Sequence, residues 1–279
     1  MDRSVRTTIP TRTVREGGGF LVRRPAAMGA MMSPFLLLDE MGPVDYGPGE
    51  AVGAPSHPHR GFETVTYLLD GCMVHEDSAG NSGTLRPGDV QWMTAGRGVI
   101  HSELPHEDVL RDGGRSHGFQ IWVNLPAEHK MMPPRYQDVP SASIPEVTSE
   151  DGSVWAKVIA GRCLGAEAVI DTVLPITYLH LRLKPGARLE QPIDHDLNAM
   201  LYVFGGDLQV KERRVEDGQL ALLTPGASVN LVAGDAGAEL LVLAGPNLDE
   251  PIARYGPFVM NTEEEIIQAI QDYNAGRLA

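Results

Sequence analysis

The sequence has few cysteines and no long apolar segment. Its 279 residues include only Cys72 and Cys163, and neither belongs to a Cys-x-x-Cys pair. Such usage is typical of free thiols in a reducing compartment, so we expect a cytoplasmic protein. The longest apolar run is about six residues, Ala199 to Phe204, against the ~18 that a membrane span needs. The first residues also lack the apolar core of a signal peptide, so we expect neither a span nor a leader.

Basic residues are also scarce relative to acidic ones. The chain has 23 Lys and Arg against 37 Asp and Glu, which gives a formal net charge of −14. A uniformly acidic surface repels phosphate backbones, so the balance disfavours direct binding to nucleic acid. The same charge still permits a basic protein partner.

Glycine and proline are abundant, with 31 and 21 residues spread along the chain. Between these turn residues lie short runs rich in β-branched, aliphatic and aromatic residues, such as Thr64 to Leu69 and Tyr178 to Leu183. Many short strands joined by turns are typical of sandwiches and barrels. The sequence therefore predicts an all-β protein.

Two parts of the chain repeat each other. The run from Tyr67 to Gly71 matches the run from Tyr202 to Gly206, at an offset of 135 residues. A second block matches at an offset of 130, pairing Gly88, Thr94 and Gly96 with Gly218, Thr224 and Gly226. We therefore expect one β-unit in two copies.

The boundary between the copies is predicted within the proline-rich stretch from Pro133 to Pro145. This gives an N-terminal domain over 1–134 and a C-terminal domain over 135–279. A helix is expected at the end of the second domain, because Thr262 and Glu265 form a capping box and Gly276 is a stop signal.

Two short motifs carry metal-binding side chains. His57 and His59 are separated by one residue, and so are His101 and Glu103. On a strand this spacing places both members of a pair on one face. Adjacent strands would therefore bring three imidazoles and a carboxylate to one point, a donor set that suits Fe(II), Mn, Ni, Co, Cu or Zn.

The longer sequence around these motifs resembles a known family. The strings HPHRGFETVTYLLDG from His57, HEDS from His75, and PGDVQWMTAGRGVIHSE from Pro87 look like a pirin, within the cupin superfamily. The resemblance continues through QIWVNLP from Gln120 and into the C-terminal segment. It implies two tandem cupin barrels, jelly-roll-like, with one Fe(II) in the N-terminal barrel and with Ni, Mn, Co, Cu or Zn as alternatives.

The resemblance also assigns residues. Its ligands fall on His57, His59, His101 and Glu103, whereas the general cupin spacing would make Glu63 the carboxylate ligand. We choose Glu103 because the surrounding string is closer to pirins, and we leave Glu63 to orient a ligand. His75, Phe62 and Trp92 are further candidates for the pocket.

The second copy should hold no metal. The offsets place His57 and His59 on Pro192 and Asp194, and they place His101 and Glu103 on Leu231 and Ala233. None of these four can reproduce the donor set, since only Asp194 offers a ligand atom. We therefore expect one metal in the chain.

The resemblance implies a quercetin 2,3-dioxygenase-like enzyme. A flavonol or related phenol and O2 would be the substrates, with Glu103 as the general base. The alternative from the same family is a non-enzymatic, iron-binding regulatory protein that acts through protein partners. In either case we expect a monomer.

Overall fold

The computed structural model describes residues 1–25 and 30–279. Strands make up 58% of the chain and helices 9%, which confirms the predicted all-β class. Within the described residues, no helix is both long enough and apolar enough to cross a membrane.

In the described part of the first half, eleven strands and one short α-helix are present. They are β1 (Val5–Glu16), β2 (Phe20–Pro25), β3 (Phe35–Tyr46), β4 (Ala54–His59), β5 (Phe62–Asp70), β6 (Met73–Asp77), β7 (Ser82–Leu85), β8 (Val90–Thr94), β9 (Val99–Pro105), α1 (Glu107–Asp112), β10 (Gly114–Asn124) and β11 (Arg135–Val139).

The second half continues the pattern and ends in a longer helix. Its elements are β12 (Glu146–Thr148), β13 (Val154–Ala160), β14 (Arg162–Cys163), β15 (Ala166–Glu167), β16 (Thr177–Leu183), β17 (Arg188–Pro192), β18 (Leu197–Val210), β19 (Arg213–Glu216), β20 (Gln219–Leu223), β21 (Ser228–Pro246), β22 (Ala253–Tyr255), β23 (Phe258–Met260) and α2 (Glu263–Asn274). The predicted capping box of α2 is present, with Thr262 as its N-cap.

The chain folds into two compact units. One, here called the site unit, contains residues 13–24, 35–141 and 248–279. Its strands form a sheet with the order β11-β8-β5-β10-β3-β2 and a smaller sheet with the order β4-β9-β6-β7. A hydrogen bond from Thr66 on β5 to Glu103 on β9 joins side chains of the two sheets, so the sheets face each other across a shared interior.

The second unit contains the described residues of 1–12, 25–34 and 142–247. Its strand order β20-β18-β21-β16 corresponds to β8-β5-β10-β3 of the site unit. The register agrees with the predicted offsets, because Tyr67 pairs with Val90 while Tyr202 pairs with Leu220. The two units are therefore two copies of one strand arrangement.

The interior of the second unit is aliphatic. Leu231, which the offset of 130 equates with His101, pairs with Leu189 on β17. Both leucines belong to a core of buried apolar side chains that also includes Ala233. Two leucines therefore occupy the strand positions where the site unit pairs His57 with His101, so the predicted overlay of His57 on Pro192 is wrong.

The terminal segments are grouped differently from the predicted division at residues 134 and 135. Residues 248–279, expected in the C-terminal domain, belong to the site unit, and residues 1–12 belong to the second unit. The cause is apolar packing between residues that are far apart in sequence. Ile266 and Ala269 of α2 are buried in a cluster with Phe258 and Leu278, and Ile100 of β9 packs against this cluster.

We expect Leu231→Ala to lower the free energy of unfolding by about 2–5 kcal/mol, because it leaves a cavity in a fully buried core. Urea denaturation measures the change. The matched control is Ile267→Ala, since Ile267 is 54% exposed on α2 and should change stability by less than about 1 kcal/mol. Equal effects of the two substitutions would contradict the assignment of the core.

Candidate metal centre

Three histidines converge where two strands of the smaller sheet pair. His57 on β4 lies opposite His101 on β9, and His59 is on the same face of β4 two residues later. Their ring centroids lie 4.5–5.0 Å apart. Nε2 of His57 is 3.1 Å from Nε2 of His101. One donor atom from each of the three rings can be chosen so that all lie within 4.8 Å of one another.

His59 and His101 are placed to act as neutral donors. Burial, followed by repulsion between the imidazoles, lowers the pKa of His59 well below its usual value. Burial lowers the pKa of His101 to about 4, although the nearby Glu103 opposes the shift. In His57, Nδ1 donates to the Pro55 carbonyl oxygen at 2.8 Å, which leaves Nε2 directed at His101.

Buried ring nitrogens without partners show what this cluster fits. Both ring nitrogens of His59 and Nδ1 of His101 are buried and make no hydrogen bond. Leaving such groups unsatisfied costs about 1–3 kcal/mol each. A divalent first-row transition metal accepts imidazole nitrogen, and three neutral imidazoles are a common set for such ions. The chemistry of the cluster therefore fits a bound metal.

Glu103 lies beside the histidines on β9 and lines the same cavity. Its Oε1 accepts a hydrogen bond of 3.0 Å from the Thr66 hydroxyl, and Nε2 of Gln120 is 3.5 Å from its Oε2. Among the described residues, the group of donor atoms that lie within 4.8 Å of one another contains the three histidines and does not contain Glu103. The structure thus places a buried carboxylate next to the imidazole cluster, held from the opposite sheet.

Glu63 does not share the interior with the histidines. On β5, Phe62 contacts His59 and Thr66 binds Glu103, so the even-numbered residues face the site and Glu63 faces away. Its carboxylate instead accepts a 2.6 Å hydrogen bond from Thr94. The turn at residues 60–61 separates β4 from β5, so strand alternation does not continue from His57 to Glu63. The alternative that made Glu63 the carboxylate ligand is therefore wrong.

Trp92 also faces away from the site. It pairs with Val65 on β5, whereas its neighbour Gln91 pairs with Thr66, which binds Glu103. Side chains alternate along a strand, so Trp92 lies on the face opposite to the site. The prediction that it belongs to the pocket is wrong.

Phe62 and His75 support the site from behind. The Phe62 ring lies edge-on to His59, with centroids 5.2 Å apart. His75 on β6 is the register partner of Glu103, and its Nε2 is 3.1 Å from Oδ2 of Asp138. Neither residue lines the cavity. Phe62 fixes the orientation of a candidate ligand, and His75 fills the interior beside Glu103.

His57, His59 and Glu103 line a cavity of about 530 Å³. Trp122 forms part of its wall, with its ring centroid 5.4 Å from that of His59. The Arg254 guanidinium lies 4.8 Å above the Trp122 ring. Arg24 binds both oxygens of Asp39 at 2.6 Å, so a second guanidinium on the wall is already paired. The cavity therefore has aromatic and charged side chains on its walls and imidazole nitrogens at one end.

Several of these residues were not found by sequence reasoning. Strand alternation could have identified Thr66, four residues after the candidate Phe62 on the same strand. Arg24, Asp39 and Arg254 carry no such signal. They reach the cavity from strands distant in sequence, and only the fold brings them there.

Comparisons with solved structures agree with this arrangement. A crystal structure of quercetin 2,3-dioxygenase from Acinetobacter baumannii is 36% identical, covers 100% of this chain and 99% of that chain, and superposes with a TM-score of 0.95. A bacterial pirin from Escherichia coli in complex with nickel(II) shares the fold, with a TM-score of 0.63 at 19% identity, covering 86% of this chain and 98% of that one.

Family comparisons point the same way. The Pirin family model matches residues 18–123, and the model of the Pirin C-terminal cupin domain matches residues 178–279. Human Pirin is 41% identical over 97% of this chain and 92% of its own length. Together with the two corresponding β-units, these matches show that the chain belongs to the pirin family.

Proposed function

We propose that the protein is a metal-dependent dioxygenase of the pirin type that cleaves quercetin or a related flavonol with O2. The observation that carries this proposal is the cluster of three imidazoles, two of them buried and held neutral, beside Glu103 at the end of an aromatic-walled cavity. The similar protein from Acinetobacter baumannii, which is named a quercetin 2,3-dioxygenase, supports the reaction class.

We assign His57, His59, His101 and Glu103 as the residues that hold the metal, with Fe(II) as the native ion. When bound, the metal would supply positive charge that acidifies a coordinated hydroxyl and a centre at which O2 can react. Mixed nitrogen and oxygen donors also accept Ni, Mn, Co, Cu and Zn, and the general affinity order favours Cu and Zn over Fe. Identifying the native ion therefore requires elemental analysis of protein purified without added metal.

Glu103 is assigned as the general base. A carboxylate at this position can remove the proton of a flavonol hydroxyl directed at the histidines. Thr66 and Gln120 hold the carboxylate from the opposite sheet, so its two oxygens face defined partners. Loss of these contacts would leave the carboxylate free to turn away from the substrate.

The cavity suits a planar phenolic substrate. Its volume of about 530 Å³ falls within the ~300–1,000 Å³ of small-molecule sites. Trp122 and Phe20 supply aromatic surface, and the Arg254 guanidinium over the Trp122 ring adds positive charge to the wall. Cys72 and Cys163 are both free thiols, which supports our assignment of this activity to the reducing cytoplasm.

We expect Glu103→Gln to lower the kcat for quercetin by about 10²–10⁴-fold, because an amide cannot accept the hydroxyl proton. The three histidines should still bind metal. Product formation by the metal-loaded protein, together with metal content, measures both effects.

Glu107→Gln is the matched control, because Glu107 is an exposed carboxylate on the neighbouring helix α1. It should behave as the wild type. Turnover by Glu103→Gln at the wild-type rate would contradict the role of the carboxylate. If metal-loaded wild type forms no cleavage product, the proposed reaction is wrong.

The buried imidazoles also predict a pH dependence of the metal-free protein. The pKa values of His59 and His101 are lower in the folded protein than the ~6.5 of an unfolded chain, so protonation favours unfolding. Their contribution to stability is complete above pH ~6.5 and is lost as the pH falls, for His101 down to a pKa of about 4. The loss is about 1.4 kcal/mol per pH unit for each imidazole.

Urea denaturation of metal-free protein between pH 7.5 and 5 measures this slope. Below pH ~6 we expect His101→Gln to reduce the slope by up to about 1.4 kcal/mol per pH unit, and His195→Gln, at an exposed position, is the matched control. Identical slopes for wild type and His101→Gln would show that His101 is not held neutral in the fold.

A further inference from the structure

Residues 257–278, here called the C-terminal strap, contact the turn that follows the ligand His59. The Arg60 amide donates to the Pro257 carbonyl at 3.3 Å, and the Val259 amide donates to the Arg60 carbonyl at 3.0 Å. The buried Lys130 ammonium donates to the carbonyls of Gly61 and Val259, at 2.8 and 3.0 Å. The end of β4 is therefore fixed to a segment about 200 residues away in sequence.

The Arg60 side chain extends this connection to the second ligand-bearing strand. Its Nε donates to the carbonyl of Arg97, at 2.5 Å, in the turn that leads into β9 and His101. Its Nη1 forms an ion pair of 2.8 Å with Asp272 in the last turn of α2. Arg60 is only 4% exposed, so one buried guanidinium joins the strap to both turns.

Two glycines show how closely the strap approaches these turns. A Cβ atom on Gly61 would lie 2.0 Å from the Val259 carbonyl oxygen, and one on Gly98 would lie 2.1 Å from that of Leu278. Both glycines have positive φ angles, of 91° and 149°, which favour glycine. The strap backbone thus occupies the space that a side chain would need at either turn.

We propose that the C-terminal strap is a positioning element of the metal centre, and that Asp272 acts through Arg60 to set the separation of His59 and His101. Arg60 follows His59 directly, and Arg97 lies four residues before His101. A shift of either turn would therefore move one imidazole relative to the other. Partners that orient metal ligands typically contribute 10–100-fold to metal affinity or activity.

Asp272 is the residue that completes this arrangement. Without its carboxylate, the nearly buried Arg60 guanidinium would keep its charge but lose its ion-pair partner. An unpaired buried charge is costly, so the guanidinium would move toward solvent and release the Arg97 carbonyl. Gln268 also donates to Asp272, at 2.9 Å, which keeps the carboxylate oriented on the helix.

The proposal rests on the metal site proposed above, and Co(II) titration tests it. Wild type, Asp272→Asn and Arg60→Lys are compared for Co(II) affinity, for the visible spectrum of the bound ion, and for the Tm of the metal-free protein. Both variants should bind Co(II) at least about 10-fold more weakly and with a changed spectrum. Arg60→Lys keeps the charge but loses the fork that reaches both Arg97 and Asp272.

Glu264→Gln is the matched control, since it removes an exposed carboxylate from the first turn of the same helix. It should match wild type in affinity and spectrum. If both site variants lower only the Tm and bind Co(II) with wild-type affinity and spectrum, the strap is merely structural and the proposal is overturned. Failure of wild type to bind Co(II) would instead overturn the metal site itself.

Discussion

The site depends on the pairing of two short strands, β4 and β9. Their register sets His57 opposite His101, and strand alternation adds His59 and Glu103 on the same face. Burial then keeps His59 and His101 neutral, because the charged forms of these imidazoles would be desolvated. The resulting cluster has buried lone pairs without hydrogen-bond partners, which is the state that a transition metal satisfies. The cavity and the Glu103 carboxylate lie beside this position, where they can act on a molecule bound there.

The second unit shows how the same framework behaves without these donors. Its strands follow the corresponding order, yet Leu231 and Leu189 pair where the site unit pairs His101 with His57. Aliphatic packing there contributes stability, at about 25 cal/mol for each Å² of buried apolar surface. The site unit replaces part of that packing with polar side chains and is braced by the C-terminal strap. One strand arrangement therefore carries an apolar core in the second unit and the candidate metal centre in the site unit, because the interior residues differ.

Much of the fold and the histidine cluster could be predicted from the sequence, because both follow from local patterns. Turn residues delimit the strands, the capping box starts α2, and the spacing of His57, His59 and His101 survives on single strands. The general cupin spacing pointed to Glu63, but a turn separates β4 from β5, and Glu63 lies on the face of β5 that points away from the site. The assignment of residues 1–12 and 248–279 to the opposite units was not predicted either, because it depends on contacts between segments that are far apart in sequence. The ion pair between Arg60 and Asp272 joins residues far apart in sequence, and no local pattern encodes it.

X-ray absorption spectroscopy of the metal-bound protein tests the central claim most directly. The fine structure beyond the absorption edge shows how many imidazoles bind the ion, because the rigid rings give characteristic multiple scattering. The account predicts one ion per chain in a shell of three imidazoles, completed by oxygen donors. A shell with one imidazole or none would contradict the assignment of His57, His59 and His101 as the metal centre.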